Sequence, residues 1–388
     1  MHAGTTDSRM MPDMIISPEL ALLIEAALGG KSKPPFHLYQ SKIVWPKLAR
    51  MANWHQVRPL LLDHLQSGAE QPDIPAKHLA DLKAFAMGQA ITNMAFLGIS
   101  VRLYQELNTA HVKAFLMKGA LWAWLLYEKP NQREFGDIDF FIKEEDVSES
   151  LATLQKSGFA PDPYRRYLFG NDALKQAYLA TDYQLPLEPI EEHTLQSLEV
   201  QWRPSYPRYC YDLTWEELSK DMIQVQMAGS TIPIPRMENQ LLLMVIHHGG
   251  IEQWDKLKYM ADFVRLLRKH ANGLDWAYIQ DTAKKKGFNR LLRESLAMVH
   301  MLTGETFLSP QFEGVSYIPS EDFQREILKH WENERPVLKS KSWRIFVYNM
   351  RHRDNLSIKI SIIAAHLRYL TYWKLLWHKA FWYKKHRS

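Results

Sequence analysis

Apolar residues recur every three or four positions through most of the first 110 residues, and this period predicts helices. The segment 17–30 begins at Ser17, a suitable N-cap residue, and ends in a glycine pair that stops a helix. The segment 76–110 carries the same period over a much longer stretch. We therefore expect residues 1–110 to form a helical N-terminal segment.

The period changes after residue 110. Short apolar runs predict three strands, at residues 112–118, 136–142 and 195–203. A helix is predicted between the first two strands, at 120–128, and another after the second strand, at 143–158. Residues 111–235 are therefore expected to form a small core that contains a mixed sheet.

Helical periodicity returns over residues 232–250 and continues through 257–270 and 274–287. This pattern predicts a helical C-terminal domain over residues 236–340, followed by a tail at 341–388. The fold class expected for the chain is α+β, with a small mixed sheet between an N-terminal helical segment and a helical C-terminal domain.

Composition places the chain among ordinary globular proteins, with 388 residues, 46% of them apolar and 23% charged. The single cysteine, Cys210, excludes a disulfide within the chain and favours a reducing, cytoplasmic compartment. The N-terminal residues show no basic region followed by an apolar run, so no signal peptide is expected. We also expect no segment to approach the roughly 20 uncharged apolar residues of a membrane span.

Two acids stand inside an apolar run, at Asp137 and Asp139. Residues two apart on a strand project to the same face, so both carboxylates point away from Ile138. Two buried carboxylates are costly unless they are neutralised, and Mg²⁺ prefers such hard oxygen ligands, which it shares with substrate phosphates. A solvated strand end is the alternative interpretation, because acid pairs at this spacing also arise by chance.

The neighbouring residues favour a phosphate-binding site. Lys118 and Gly119 lie between a predicted strand and a predicted helix, where glycine permits close approach of the backbone to a phosphate and the helix N-terminus attracts anions. Lys118 itself either contacts a phosphate or caps the strand end. Glu199, within the third predicted strand, is a candidate for a third carboxylate.

These residues follow one another in an order that is typical of a known family. The matching positions are Lys118-Gly119, Tyr127, Pro130, Arg133, Gly136-Asp137-Ile138-Asp139, Glu199-Val200-Gln201-Trp202, His247 or His248, and Asp262. Over residues 40–300 the sequence resembles the bacterial uncharacterised nucleotidyltransferase family of the DNA-polymerase-β-like nucleotidyltransferase superfamily.

The resemblance implies a transferase that moves a nucleoside monophosphate from a nucleoside triphosphate to a hydroxyl or phosphate acceptor. Asp137 and Asp139 would bind two Mg²⁺ (or Mn²⁺) ions that hold the triphosphate, and Glu199 would share one metal and assist deprotonation of the acceptor. Contacts to the nucleotide would come from the Lys118–Ala120 turn, which includes Gly119, and from Arg133. The acceptor expected is a small molecule, a saccharide, a peptide or a protein side chain.

Two residues depart from the superfamily pattern. Ala120 stands where Ser or Gly is common, and Gln201 stands where His is usual. These departures keep a second interpretation open, in which the fold is a catalytically weak or inactive binding module that is recruited to a membrane or protein partner. A phosphohydrolase that uses the same carboxylates is a third.

Several other side chains have two interpretations each. Arg133 either contacts the triphosphate or neutralises Asp137 or Glu134. Lys258 lies four residues before Asp262 on a predicted helix, which favours a surface ion pair, although Lys258 is also a candidate for binding the nucleotide. His247 and His248 lie on an apolar helix without a third ligand at metal spacing, so we expect core or capping histidines and no zinc site.

The charge is unevenly distributed along the chain. Residues 341–388 contain eleven Lys and Arg and one acid, Asp354, so their net charge is +10. The whole chain has a net charge of +5, so residues 1–340 have a net charge of −5. Within 360–386, apolar residues at helical spacing are flanked by lysines, which suits an anionic membrane surface and a peripheral position at the inner face of the membrane. A terminal helix docked on the body is the alternative, and we identify no nucleic-acid-binding module.

Overall fold

The computed structural model describes residues 16–29, 43–67, 74–192, 195, 197–307, 318–337 and 339–385. The chain folds as α+β, as expected, with a mixed five-stranded sheet surrounded by helices. One hydrophobic core extends from Ile16 to Leu375. The division into segments at residues 110, 235 and 340 stays a prediction.

The first half of the chain supplies the N-terminal helices and the sheet. In chain order its elements are α1 (Pro18–Leu28), α2 (Trp45–His55), α3 (Arg58–Ser67), α4 (Ala76–Thr109), β1 (Ala114–Met117), α5 (Gly119–Leu126), β2 (Asp137–Ile142), α6 (Val147–Lys156), β3 (Phe159–Pro161), α7 (Pro163–Phe169), α8 (Asp172–Thr181), β4 (Gln184–Pro189) and β5 (Ser197–Gln201).

The second half is mainly helical. Its elements are α9 (Trp215–Ser219), β6 (Ile223–Met227), β7 (Ser230–Ile234), α10 (Met237–Met244), a π-helical turn (Val245–Ile251), α11 (Leu257–His270), α12 (Trp276–Lys285), α13 (Asn289–Thr303), α14 (Glu321–Trp331), α15 (Lys341–His352), α16 (Leu356–Leu370) and α17 (Trp373–Lys385).

The order of strands in the sheet is β1-β2-β5-β4-β3. Strands β2 and β5 run parallel, and the other neighbouring pairs are antiparallel. The three strands predicted from sequence are β1, β2 and β5. Strands β3 and β4 were missed because β3 has only three residues and β4 contains two prolines, at 186 and 189.

The helix expected from residue 232 begins later than predicted. Residues 230–234 form β7, which pairs with β6 in a separate two-stranded hairpin, and α10 begins only at Met237. The apolar run Ile232-Pro233-Ile234 continues the helical pattern in sequence, but prolines at 233 and 235 remove backbone donors and favour an extended chain.

The N-terminal helices form as their sequence patterns predict. Ser17 caps α1 by accepting a hydrogen bond from the backbone N–H of Leu20, and Gly29 follows the helix with a φ of 48°. Helix α1 packs against α11, so the first described helix contacts the helical second half directly.

Helix α4 is the one helix in the described ranges that is long and apolar enough to cross a membrane. Its residues 84–101 carry no charge, so the sequence expectation that no segment approaches such a composition is wrong for this helix. Within the fold α4 contacts α3, β1 and α5, and the amide of Asn93 on its inner face donates to the carbonyl oxygens of Pro130 and Arg133.

Candidate functional site

The three predicted carboxylates lie on the two parallel strands at the centre of the sheet. Asp137 and Asp139 belong to β2, whose intervening residue Ile138 is fully buried. In the register between β2 and β5, Asp139 lies directly beside Glu199. Neighbouring residues of adjacent strands share a face, so Glu199 and the aspartates face the same side of the sheet.

Gln201 holds the carboxylates in place. Its side-chain Nε2 donates to Asp139 Oδ1 at 2.6 Å and to Glu199 Oε2 at 3.1 Å. Its Oε1 accepts a hydrogen bond from Lys118 Nζ at 3.2 Å, and this Nζ lies 3.7 Å from Asp139 Oδ1. Gln184, at the start of β4, donates to Glu199 Oε1 at 3.0 Å. The residue that departs from the superfamily pattern therefore links Asp139, Glu199 and Lys118.

Burial and neighbouring negative charges shift the pKa values of Asp139 and Glu199. Burial raises the pKa of Asp139 well above its usual range; Lys118 opposes the shift, and the charges of Asp137 and Glu199 add to it. Burial also raises the pKa of Glu199; Lys118 opposes this shift, and the charge of Asp137 adds to it. Additional positive charge at this position would stabilise the ionised forms.

The Lys118-Gly119 turn brings the backbone against these carboxylates. Lys118 has a φ of 49° and Gly119 a φ of 21°, both in the left-handed region. A Cβ at Gly119 would lie 2.8 Å from the carbonyl oxygen of Asp137. Helix α5 starts at Gly119, and Ala120 is buried in its first turn. Only glycine fits this close approach.

Replacing Gly119 with alanine is therefore expected to destabilise the fold by more than about 1 kcal/mol, because the Cβ would meet backbone in a strained conformation. Urea unfolding measures this change. Gly98→Ala in the exposed face of α4 is the matched control; a Cβ there meets nothing within 4 Å, and alanine favours a helix interior by about 0.5–1 kcal/mol. Equal effects of the two substitutions would contradict the proposed close approach.

Arg133 does not pair with Asp137 or Glu134, so that part of the sequence interpretation is wrong. Its guanidinium instead forms a bidentate pair with Asp262, with Nε–Oδ1 and Nη2–Oδ2 distances of 2.9 Å, and both side chains are buried. Glu134 pairs with Arg58. Arg133 Nη1 also donates to the carbonyl oxygen of Gly119 at 3.2 Å, which ties this pair to the turn beside the carboxylates.

Two further groups surround the Arg133–Asp262 pair. The Tyr127 hydroxyl donates to Asp262 Oδ1 at 2.8 Å, and His248 Nε2 lies 3.4 Å from Asp262 Oδ2. Burial alone would raise the pKa of Asp262, but Arg133 and His248 hold it below its usual range. Four positions of the sequence motif, which are separated by up to 135 residues, therefore form one buried cluster.

Lys258 is not part of a surface ion pair, which corrects the sequence interpretation. Its side chain is 9% exposed, and its Nζ donates to the carbonyl oxygen of Glu134 at 3.2 Å. Asp262, the expected partner, is instead paired with Arg133. Burial lowers the pKa of Lys258 to about 7, and the neighbouring positive charge of Arg133 contributes.

The π-helical turn 245–251 presents a histidine beside these groups. His248 is buried and stacks on Tyr259 with a ring-centroid distance of 4.2 Å, as a core histidine does. Its neighbour His247 lines the cavity above the carboxylates, and burial lowers the pKa of His247 well below its usual range. Wider turns of this kind are frequent at functional sites.

A cavity of about 190 Å³ lies between the carboxylates and the basic side chains. Besides Gly119 it is lined by Lys118, Arg133, Asp137, Asp139, Tyr183, Gln184, Glu199, His247, His248, Glu252, Lys258 and Tyr259. Sequence reasoning missed Tyr183, Gln184, Glu252 and Tyr259. Gln184 belongs to a strand that was not predicted, and the other three carry no motif of their own.

The candidate metal ligands at this site are the carboxylates of Asp137, Asp139 and Glu199. In the ranges that the structure describes, no three His, Cys, Asp or Glu side chains converge closely enough to enclose a metal ion by themselves. Asp137, Asp139 and Glu199 share one face of the sheet, but they do not converge into such a three-ligand site.

The cavity has carboxylates on one side and the side chains of Lys118 and Lys258 on the other, with the Gly119 turn between them. This arrangement is suited to a phosphate-bearing substrate. A family model described as an uncharacterised nucleotidyltransferase matches residues 41–304, which is more than half of the chain, and the chain belongs to that family. This confirms the family that the sequence motifs indicated. No curated protein and no solved structure matches the chain. Bacterial origin and superfamily placement stay predictions.

Proposed function

We propose that the protein is a Mg²⁺-dependent nucleotidyltransferase, active also with Mn²⁺, of the DNA-polymerase-β-like superfamily. It moves a nucleoside monophosphate from a nucleoside triphosphate to a hydroxyl or phosphate acceptor in the cytoplasm. The observation that carries the proposal is the register of β2 and β5, which sets Glu199 beside Asp139 on the face that also bears Asp137. The Lys118-Gly119 turn lies against the same face.

The carboxylates fit a divalent cation. Mg²⁺ takes hard oxygen ligands, and it needs only one or two protein carboxylates because substrate phosphates and water supply its other ligands. Asp137, Asp139 and Glu199 would hold it. Burial is the main cause of the raised pKa values of Asp139 and Glu199, and neighbouring carboxylates add to it; a bound cation would favour the ionised forms of both.

The size and polarity of the cavity support a triphosphate as the bound group. Its volume of about 190 Å³ is below the roughly 300–1,000 Å³ of ordinary small-molecule pockets. It therefore suits the triphosphate, with the base and the acceptor lying outside. Lys118 and Lys258 are the basic side chains for the phosphates, together with the backbone of Gly119 and Ala120. Ala120 lacks a hydroxyl but retains its backbone N–H. Arg133 acts through its bond to the Gly119 carbonyl.

The transfer then needs little beyond positioning. A bound divalent cation supplies Lewis-acid stabilisation of the charge that develops on the oxygens. An acceptor oxygen attacks the α-phosphorus, the bond from this phosphorus to the oxygen bridging to the β-phosphorus breaks, and pyrophosphate leaves. The proton of the acceptor hydroxyl passes to Glu199, the carboxylate that the strand register places beside Asp139.

One observation favours the second candidate, a binding module without activity. The amide of Gln201 donates to both Asp139 and Glu199, and this engages oxygens that the transfer requires. Binding of a nucleotide would then occur without release of pyrophosphate. Recruitment of such a module would depend on a membrane or a protein partner rather than on turnover.

Thermal unfolding of the full chain tests the proposal with each of the four nucleoside triphosphates, with and without Mg²⁺ or Mn²⁺. We expect a metal-dependent rise of the midpoint with at least one nucleotide, corresponding to about 2.7 kcal/mol at a concentration of 100 Kd. Indifference to every nucleotide would refute the transferase. Release of inorganic phosphate or of a nucleoside monophosphate without an acceptor would identify a phosphohydrolase, and binding without any product would support the module.

The affinity for the nucleotide is expected to depend on pH through Lys258. Its pKa of about 7 means that Lys258 is charged below pH 7 in the free protein and neutral above it, so its contribution to phosphate binding is greatest below pH 7 and falls as pH rises. Burial is the main cause of this lowered pKa; the charges of Arg133 and Lys256 lower it further, and those of Asp262 and Asp137 oppose the shift.

Nucleotide Kd values measured from pH 6 to pH 9 for the wild type and Lys258→Met test this. The affinity ratio of the two proteins is expected to shrink with rising pH, and the ratio removes the titration of the carboxylates because both proteins share them. Lys83→Met is the matched control, since Lys83 is exposed on α4 and does not line the cavity. A ratio that is constant over this range would contradict the role of Lys258.

A further inference from the structure

The last two helices dock on the body of the protein through one face. On α16, Ile362 is fully buried and His366 packs edge-on against Tyr209 with ring centroids 5.2 Å apart. On α17, Leu375 is buried and the ring of Trp382 stacks on Tyr167 at 5.5 Å. Docking on the body, which the sequence analysis gave as the alternative, therefore explains the apolar residues on the inner face of both helices.

The outer face of the same helices is also apolar, which docking does not explain. On α16 the exposed residues are Leu356, Ile360, Ile363, Leu367 and Leu370, each separated from the next by three or four positions. Trp373, Trp377 and Phe381 continue this spacing on α17. These eight residues, here called the outer stripe, are between 42% and 72% exposed. A large contiguous apolar surface of this kind marks an interaction site.

Positive charge accompanies the outer stripe. Arg368, Lys374 and Lys379 are exposed beside it, and Lys359 is half-buried. No acid follows Asp354 in the sequence, so the two helices carry only basic charge. An apolar face that contains tryptophan and is bordered by lysine and arginine suits the interface of a bilayer with anionic headgroups, because the cations reach the headgroups while the apolar side chains enter the acyl boundary.

A second copy of the chain fits this surface less well. A two-fold dimer through the outer stripe would place the same surface patch of both copies together, and the basic residues of one copy would face those of the other. Like charges across an interface repel, whereas an anionic bilayer compensates them.

We propose that the outer stripe binds the protein to the surface of an anionic lipid bilayer, with α16 and α17 lying in the interface plane. The attachment is peripheral. Both apolar contact and electrostatic attraction contribute, so binding is expected to require anionic lipid and to weaken as salt is raised.

Flotation of the full chain with phosphatidylcholine vesicles, with and without phosphatidylglycerol, tests this proposal. The wild type should float with the anionic vesicles, and Leu367→Gln/Trp377→Gln should reduce the partition coefficient by at least about tenfold. Lys374→Gln/Lys379→Gln should weaken binding to anionic vesicles and remove most of its dependence on salt. Val44→Gln/Ile190→Gln, which replaces two exposed apolar residues outside the stripe, should bind as the wild type does.

Absence of wild-type binding to anionic vesicles would overturn the proposal, and so would an equal loss in the control variant. Sedimentation equilibrium without lipid provides a second readout, because a dimer that the Leu367→Gln/Trp377→Gln variant abolishes would identify a second copy as the occupant. All substituted residues are exposed, so the variants are expected to fold. Urea unfolding without ligand reports whether each variant retains the native fold, and this readout does not depend on nucleotide binding.

Discussion

Replacing Asp137 and Asp139 together with asparagine is expected to abolish the Mg²⁺-dependent stabilisation by nucleotide and to reduce nucleotidyl transfer by at least about a thousandfold. Loss of about 4 kcal/mol of transition-state stabilisation corresponds to that factor, and charge neutralisation by a divalent cation supplies several kcal/mol. Asparagine keeps the size of each side chain and one oxygen acceptor but removes the negative charge that holds the cation.

The same variant is expected to unfold without ligand at a midpoint no lower than that of the wild type. Burial and mutual repulsion raise the pKa of Asp139, so its ionised form opposes folding. Lys118 also keeps its hydrogen bond to Gln201 Oε1 when Asp139 is replaced. A functional site of this kind therefore loses ligand binding without losing stability, whereas a structural role would lower both.

Asp81→Asn/Asp172→Asn is the matched control, because it removes two negative charges from exposed positions outside the cavity. Calorimetric titration of nucleotide in the presence of Mg²⁺ and thermal unfolding in its absence give the two readouts. An unchanged metal-dependent nucleotide affinity in the Asp137→Asn/Asp139→Asn variant would contradict the assignment of the carboxylates.

The strand that carries the aspartates could be predicted from sequence because its information is local. Period-two spacing places Asp137 and Asp139 on one face, and the apolar residues around them mark a buried strand. The contact between Asp139 and Glu199 depends instead on the register of two parallel strands whose paired residues are sixty positions apart. The sequence names Glu199 as a candidate, and only the tertiary structure sets it beside Asp139.

The partners of charged residues were harder to predict than the elements that carry them. Lys258 and Asp262 have the spacing of a helical ion pair, yet Asp262 pairs with Arg133, which comes from a loop far away in sequence. Sequence spacing gives the neighbours on one helix, but a buried carboxylate takes the partner that provides the most hydrogen bonds. The bidentate guanidinium provides two such bonds, and Lys258 turns to the carbonyl oxygen of Glu134.

Removing Asp262 is expected to be the most destabilising change at the site. Asp262→Ala leaves the guanidinium of Arg133 buried without its counter-charge, which costs about 3–5 kcal/mol, and it also removes the acceptor of the Tyr127 hydroxyl. Urea unfolding near pH 7 measures the loss. Arg325→Ala, which breaks an exposed pair with Asp322, is the matched control and is expected to cost only a small fraction of this.

The pH dependence of stability in the wild type and in Asp262→Ala distinguishes the Arg133–Asp262 ion pair from ordinary packing. Arg133 and His248 hold the pKa of Asp262 below its unfolded value in spite of burial. A depressed carboxyl pKa contributes stability that is present above the unfolded pKa of about 3.9 and is lost as pH falls toward the folded pKa. The difference in unfolding free energy between wild type and Asp262→Ala should therefore shrink as pH falls below about 4.

A double variant then decides whether the unpaired charge causes the destabilisation. Arg133→Met/Asp262→Leu replaces both members by apolar side chains, and it is expected to be more stable than Asp262→Ala because no buried charge is left without a partner. The double variant should still lose affinity for nucleotide, since the bond from Arg133 to the Gly119 carbonyl is gone. If the single and double variants were equally unstable, cavity formation rather than the unpaired guanidinium would explain the loss.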